Sequence, residues 1–189
     1  MESALIVSHA EKGIIYFTEV LNADSCGEIV ALKSCGEARR LLLERDFDLV
    51  IINAPLPDES GENLSRDIAS KGTSQVILVV KSEYSDEISA ATEDEGVLVA
   101  AKPINRNVFW ATLKLAKSSQ NRLKKMQSEN NLLKQKIEDI RIIDRAKCIL
   151  ISQLNITEQE AHRFIEKQSM DMRTTRRTIA EKVLKTYEL

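Results

Sequence analysis

The sequence predicts a parallel α/β domain at the front, a long coiled-coil helix behind it, and a small all-α bundle at the rear. Five short continuous apolar runs recur in the first 108 residues, each followed by an amphipathic stretch. From Phe109 to the end of the chain neither Gly nor Pro occurs. Behind Phe109, apolar residues fall at alternating steps of four and three, the heptad signature of one helix packing along another.

Taken in order, "ALIV" (4–7) precedes "EKGIIYFTEVLNA", and "EIVAL" (28–32) leads into "GEARRLLLERD". "DLVII" (48–52) precedes "GENLSRDIAS", "QVILVV" (75–80) precedes "SDEISAATEDEG", and "VLVAA" (97–101) leads through Lys102-Pro103 into "NRNVFWATLKLAK". Strands covered on both faces read as unbroken apolar runs, and parallel pairing requires a crossover between consecutive strands. The pattern therefore predicts a five-stranded parallel sheet with helices on both faces. In "DLVIINAPLPDESG" (48–61) the third run empties into a loop bearing two prolines and a glycine. Open α/β sheets bind their ligands at this carboxyl end. The first residue out of the predicted strand is Asn53, an amide where a carboxylate would be reactive.

The totals narrow the function classes. A chain of 189 residues accommodates one domain of roughly 110 residues and a smaller companion. No apolar run approaches the ~20 residues of a membrane helix, so no membrane partner is expected. The start "MESALIVSHAEKG" lacks a basic segment followed by an apolar core, the mark of a signal peptide. Cys26, Cys35 and Cys148 are too widely spaced for a metal site or disulfide framework, which points to a cytoplasmic location. The two histidines lie far apart, and no nucleophile–base pair or glycine-rich phosphate loop is present. No enzymatic activity, catalytic residue, cofactor or metal is therefore expected. Residues 1–113 carry 10 Lys and Arg against 19 Asp and Glu, while residues 114–189 carry 17 against 10. A polyanionic partner would meet the basic rear.

"DLVIINAPLPDESG" together with "AAKP" resembles the receiver domain of bacterial response regulators, over about residues 3–118. The resemblance implies a flavodoxin-like fold that accepts a phosphoryl group on an Asp ending the third strand. It also implies an acidic pair after the first strand for Mg²⁺, a Thr or Ser after the fourth, and a Lys after the fifth. Carried onto this sequence, Ser8 and His9 stand where the acidic pair belongs, and Asn53 stands for the phospho-accepting Asp. Val80 takes the Thr/Ser position and Val99 that of the switch aromatic; only Lys102, followed by Pro103, matches. The expectation is a degenerate pseudo-receiver domain (1–108) that is not phosphorylated, with Lys102 bonded to Asn53 or to a loop carbonyl.

The heptad register runs through Phe109, Thr112, Ala116, Ser119, Leu123, Met126, Asn130, Leu133, Ile137 and Ile140. It is strongest from Leu123 to Ile140, which predicts a homodimeric coiled-coil linker over 109–141. Asn130 would occupy an a position, where a buried amide costs stability and fixes a two-stranded state. Beyond Ile140 the seam fails at Asp144 and Lys147, and a stripe of Ile143, Ala146, Leu150 and Leu154 replaces it. Thr157 and Glu160 form a capping box that starts a second helix, and "DMRTTRRTIAEKVLKTYEL" supplies a third with Ile179, Val183 and Leu184 inward.

"AKCILISQLNITEQEAHRFIEKQSMDMRTTRRTIAEKVL" resembles the ANTAR domain of bacterial transcription antitermination regulators. The resemblance rests on Ala146-Lys147, Leu150, Thr157-Glu158, Glu160-Ala161, Ser169-Met170, Arg173 and Ile179-Ala180, and it predicts an RNA-binding domain over 142–189. Cys148 replaces the usual Gly, and Arg176 stands where an apolar residue is common. The order receiver, coil, ANTAR is the family's usual layout. It implies binding to tandem stem-loops with related hexanucleotide loops in nascent mRNA leaders, which excludes a terminator hairpin. A dimer presenting two such domains gains avidity. Lys147 and Arg173 are the expected loop readers, and Arg176, Arg177 and Lys182 the expected phosphate contacts. Arg173, Arg176 and Arg177 would share one face of the third helix. Phe164 is expected in the core and His162 on the surface. Control would then fall to a regulatory protein partner or ligand. Two alternatives stay open: a DNA-binding response regulator, disfavoured by the two-residue break expected between the second and third helices, and a coiled-coil adaptor.

Overall fold

A computed structural model describes residues 1–187; the last two residues of the predicted 142–189 segment lie outside the described residues. The sheet strands are β1 (Ser3–Val7), β2 (Glu28–Leu32), β3 (Leu49–Asn53), β4 (Gln75–Lys81) and β5 (Leu98–Lys102). The helices are α1 (Glu11–Ala23), α2 (Cys35–Glu44), α3 (Glu62–Ser70), α4 (Ser85–Thr92), α5 (Arg106–Leu154), α6 (Glu158–Asp171) and α7 (Arg176–Tyr187). The chain divides into two compact units, Met1–Met126 and Gln127–Leu189. Helix α5 contributes residues to both.

In the first unit all strands are parallel, in the order β2-β1-β3-β4-β5. This is the flavodoxin-like order, whose switch point lies between β1 and β3. Alternation along each strand sorts the apolar runs onto two faces. Leu5, Val7, Val50, Ile52, Val76, Leu78 and Val80 point to the side holding Cys35 and Ala38 of α2 and Leu64 and Ile68 of α3. Ala4, Ile6, Leu49, Ile51, Ile77 and Val79 point to the side holding Phe17, Val20 and Leu21 of α1 and Phe109, Leu113 and Ala116 of α5. Phe17 and Phe109 meet there with ring centroids 5.3 Å apart. Burial of each such side chain contributes about 1.5–3 kcal/mol. Phe109 and Ala116 open the predicted heptad register, yet both are buried in this sheet-face core. Their spacing serves the α/β domain, and they are not available to a coil.

Local chemistry sets the helix starts. The Ser34 hydroxyl caps α2 by accepting the Glu37 N–H, and Gly61 precedes α3 with φ 87°. A Cβ at Gly61 would stand 2.8 Å from Ile52, so both the left-handed backbone and the close approach demand glycine there. At the opposite, amino-terminal edge of the sheet, Asp48 accepts the Glu2 N–H at 2.7 Å and pairs with Lys124 at 2.7 Å. Burial pushes the Asp48 carboxyl up, but Lys124 and the backbone donors outweigh it and hold the group below its ordinary value.

From Asn121 to Glu138 every residue of α5 except Leu123 is exposed. Met126, Leu133, Ile137 and Ile140 are 62%, 58%, 52% and 58% exposed. In the second unit Ala146 and Leu150 of α5, Ala161 and Ile165 of α6, and Ile179, Ala180 and Val183 of α7 close a small core. Thr157 and Glu160 form the capping box in full. Phe164, expected inside, is 39% exposed: Ala161 and Ile165 take the inward positions of α6 and leave it at the edge.

Candidate functional site

The carboxyl end of the sheet brings Ser8, Asn53, Val80 and Lys102 together and leaves His9 outside. Asn53 is the last residue of β3 rather than the first beyond it. Its Nδ2 donates to Ser8 Oγ at 2.9 Å, and the Ser8 hydroxyl donates to the Ala10 carbonyl at 3.1 Å. Ser8 is fully buried, His9 is exposed, and Val80 belongs to the core. Gly13 of α1 closes the space from above: a Cβ there would lie 2.5 Å from Asn53 Nδ2 and 2.8 Å from Ser8 Oγ. The Asn53 amide oxygen is buried without a partner. Lys102 donates to the Ala54 carbonyl, one of the two bonds expected of it. Burial, then neighbouring Lys81, push the Lys102 ammonium below its ordinary pKa. An amide cannot form an acyl phosphate, and none of Ser8, His9 and Asn53 supplies the carboxylate a hard cation prefers.

The acidic residues near this loop serve structure. Asp58 accepts the N–H groups of Cys35 and Gly36 at 3.1 and 2.8 Å, an N-terminal anchor for α2. These backbone donors hold its carboxyl below the ordinary range. Glu59 pairs with Arg39. Cys35, Asp58 and Glu59 lie close together, and burial and Glu59 push the Cys35 thiol up to about 12.

The second unit gathers the basic residues. Lys147 of α5 is bonded to Asp144 at 2.8 Å and to Glu158 at 2.9 Å, with its side chain only 16% exposed. These two carboxylates raise its pKa. Arg176 pairs with Glu166 across α7 and α6. Arg177 pairs with Glu181 at 2.8 Å and Asp139 at 2.7 Å, which raise its pKa. Among the described residues, the Lys182 ammonium reaches only Met172 Sδ, at 3.7 Å. Arg173 does not share a helix face with Arg176 and Arg177. It sits in the four-residue connection 172–175, double the expected length, with φ 48°. Its N–H bonds the Met170 carbonyl in a helix-ending turn, which leaves the exposed side chain without an ion pair among the described residues. Sequence reasoning missed Gly13 and the acidic partners Asp139, Glu158 and Glu166. Only the i,i+3 and i,i+4 pairs, Asp144–Lys147 and Arg177–Glu181, carry a local signal.

Residues 131–184 match the ANTAR domain family. Over 139 residues, 74% of this chain and 68% of the relative, the chain is 27% identical to the transcriptional regulatory protein PdtaR of Mycobacterium tuberculosis. Among solved structures, the signal receiver domain of an HD domain-containing protein from Pseudomonas fluorescens Pf-5 matches with TM-score 0.55 and 23% identity, over 66% of this chain and 92% of that one. A two component transcriptional regulator AraC from Clostridium phytofermentans ISDg matches with TM-score 0.58 and 17% identity, over 66% of this chain and 98% of that one. At such identities the solved structures establish the receiver fold alone.

Proposed function

For this chain, an ANTAR response regulator with a receiver domain, we propose that the output is RNA binding by a homodimer that prevents terminator formation in nascent mRNA leaders. The observation that carries the reading is the ANTAR match over residues 131–184. It falls on a helical unit that displays Arg173 and Lys182 without carboxylate partners among the described residues and that begins in an exposed apolar stripe. The stripe Leu123, Met126, Asn130, Leu133, Ile137 and Ile140 is the dimer seam. Half-exposed isoleucines and leucines at heptad spacing are what a second helix covers. Two protomers then present two basic units to two tandem stem-loops, and avidity supplies affinity that one small unit lacks. Arg173, expected at the loop, is reassigned to phosphate contacts beside Lys182, because neither meets a carboxylate among the described residues. Arg176 and Arg177 are held by carboxylates, and Lys147 keeps its expected role at the loop.

The receiver serves as a pseudo-receiver. Ser8, His9, Asn53 and Val80 replace the groups that phosphoryl transfer needs, and Gly13 packs so closely on Asn53 and Ser8 that a Cβ there would stand 2.5 and 2.8 Å from their side chains. Control therefore passes to a protein partner or ligand that engages the domain surface, rather than to aspartate phosphorylation.

Filter binding of the full chain to a two-stem-loop leader RNA and to duplex DNA of equal length tests the output. Preference for the RNA is expected; preference for the duplex would assign the protein to DNA instead. Unchanged RNA affinity in a Lys147→Ala, Arg173→Ala double variant would favour an adaptor role.

A further inference from the structure

The second unit contains a cleft of about 200 Å³ between its three helices. Ile140, Ile143, Asp144 and Lys147 line it from one face of α5, at spacings of three and four residues. His162 and Ile165 line it from α6, and Arg176 from the first turn of α7. The three isoleucines form an apolar floor, and the titratable groups form the rim. The volume lies below the ~300 Å³ at which sites for drug-sized ligands begin, so the cleft holds a ring system and not a whole cofactor.

The charges at the rim decide what kind of ring. Lys147 is held by Asp144 and Glu158, and Arg176 by Glu166. Each cation is thus offset by carboxylates within the protein. A phosphate or carboxylate entering here would displace those partners and face three acidic groups. A neutral planar ligand meets no such opposition. Asp144 offers acceptor capacity, while Lys147, Arg176 and the exposed His162 offer donors, which together suit the mixed edge of a nucleobase. His162 adds a ring against which a base can stack. The anion-seeking groups lie elsewhere: Arg173 and Lys182 carry no carboxylate partner among the described residues.

Resting on the RNA-binding reading above, we propose that this cleft receives one unstacked nucleobase of a single-stranded RNA loop. The floor is Ile140, Ile143 and Ile165, and the rim of Asp144, Lys147, His162 and Arg176 reads the base edge. Phosphate positioning by Arg173 and Lys182 and base reading in the cleft are then separate functions of one surface.

The test uses the full chain and a pool of RNAs carrying two tandem stem-loops with randomised hexanucleotide loops. The tightest RNA selected by the wild type is remade with each loop base replaced by an abasic site, and affinities are measured by fluorescence anisotropy. Stacking of one base is worth about 1–3 kcal/mol, so abasic replacement at one position is expected to weaken wild-type binding by roughly 5- to 150-fold. Ile143→Trp fills the cleft and is expected to weaken binding of the intact RNA by a similar factor while adding little to the abasic penalty at that position. His162→Glu, at an exposed site that folding tolerates, is expected to show the same loss of additivity. Abasic penalties unchanged in both variants would overturn the cleft assignment and leave the RNA-binding reading standing. Failure of the wild type to select any RNA would overturn both. Loss of the dimer in Ile143→Trp with unchanged affinity per protomer would assign the cleft to a second copy of the chain and likewise overturn the proposal.

Discussion

Gly13→Ala is expected to destabilise the receiver domain, against the usual sign for a helical glycine. Replacing glycine by alanine inside a helix ordinarily stabilises by about 0.5–1 kcal/mol. At Gly13 the new methyl carbon would stand 2.5 Å from Asn53 Nδ2 and 2.8 Å from Ser8 Oγ. Overpacking of a close-packed site costs about 1–3 kcal/mol. Pushing the amide aside also breaks the 2.9 Å bond from Asn53 to Ser8, worth about 1 kcal/mol net. Together these exceed the propensity gain, so Gly13→Ala should lower stability by about 1–3 kcal/mol. In an Asn53→Ala background the nearest clash is gone and the Ser8 hydroxyl can turn, so the same change should be neutral or stabilising. Urea unfolding followed by Trp110, the single tryptophan and a neighbour of the core on that sheet face, reports this transition selectively. A double-mutant cycle should give a coupling of at least ~1 kcal/mol. A pocket roomy enough for a hydrated cation would accept the methyl without penalty. A higher urea midpoint for Gly13→Ala in the wild-type background, or additivity with Asn53→Ala, would refute the packed-site reasoning.

Incubation with acetyl phosphate and Mg²⁺ should add no phosphoryl mass to the wild type, nor to Asn53→Asp, because Ser8 and His9 supply no carboxylate for the metal; a stable phosphoaspartate seen by mass spectrometry would contradict this. Ile137→Asp should raise the dimer dissociation constant by ~100-fold or more in sedimentation equilibrium, since covering the exposed half of Ile137 contributes about 1 kcal/mol per chain before any cost of burying charge; an unchanged constant would remove Ile137 from the seam. Asp48 titrates below its ordinary 3.8 in the folded state, so its stabilising contribution is present above that pH and is lost as pH falls through the folded value. Asp48→Asn should accordingly be less stable than the wild type at neutral pH, and the gap should close in strong acid when the Trp110 transition is followed; a gap independent of pH would contradict it. Arg173→Ala should make the salt dependence of RNA binding shallower by about 0.7 in log–log slope per lost phosphate contact, whereas Arg177→Ala, whose cation is offset by Asp139 and Glu181, should leave the slope in place.

The α/β fold was legible because strands buried on both faces leave a signal that few other structures imitate. All five apolar runs became strands within a residue of their expected limits. The heptad register was less exclusive. A helix packed on a sheet and a helix packed on its twin both require apolar residues about every three to four positions. Phe109 and Ala116 satisfied the coil pattern while belonging to the α/β core, and only the three-dimensional placement of α1 against α5 separates the two uses. Phe164 failed for a related reason. On a short helix with alanine and isoleucine already inward, an aromatic one position before Ile165 is carried to the edge of the core by the 100° step, however apolar it is.

The candidate site was legible as a set of residue types and illegible as a set of charges. Counting cations identified Lys147, Arg173, Arg176, Arg177 and Lys182 as one basic group. Folding divides that group. Three of the five meet carboxylates, and each of these has a partner on another helix: Glu158 for Lys147, Glu166 for Arg176 and Asp139 for Arg177. No periodicity within one helix encodes such pairs, because they depend on how three helices cross. The position least expected to stand apart, Arg173, does so because the chain there leaves the helix in a left-handed turn. Non-Gly residues adopt that conformation uncommonly, so propensity alone extended the third helix backwards over it. The division changes the chemistry assigned to the surface. A uniformly cationic face would attract phosphate everywhere and discriminate nothing. On the proposed reading, a unit with Lys147 and Arg176 neutralised around an apolar cleft, and with Arg173 and Lys182 lacking carboxylate partners among the described residues, would separate attraction to the backbone from reading of a base.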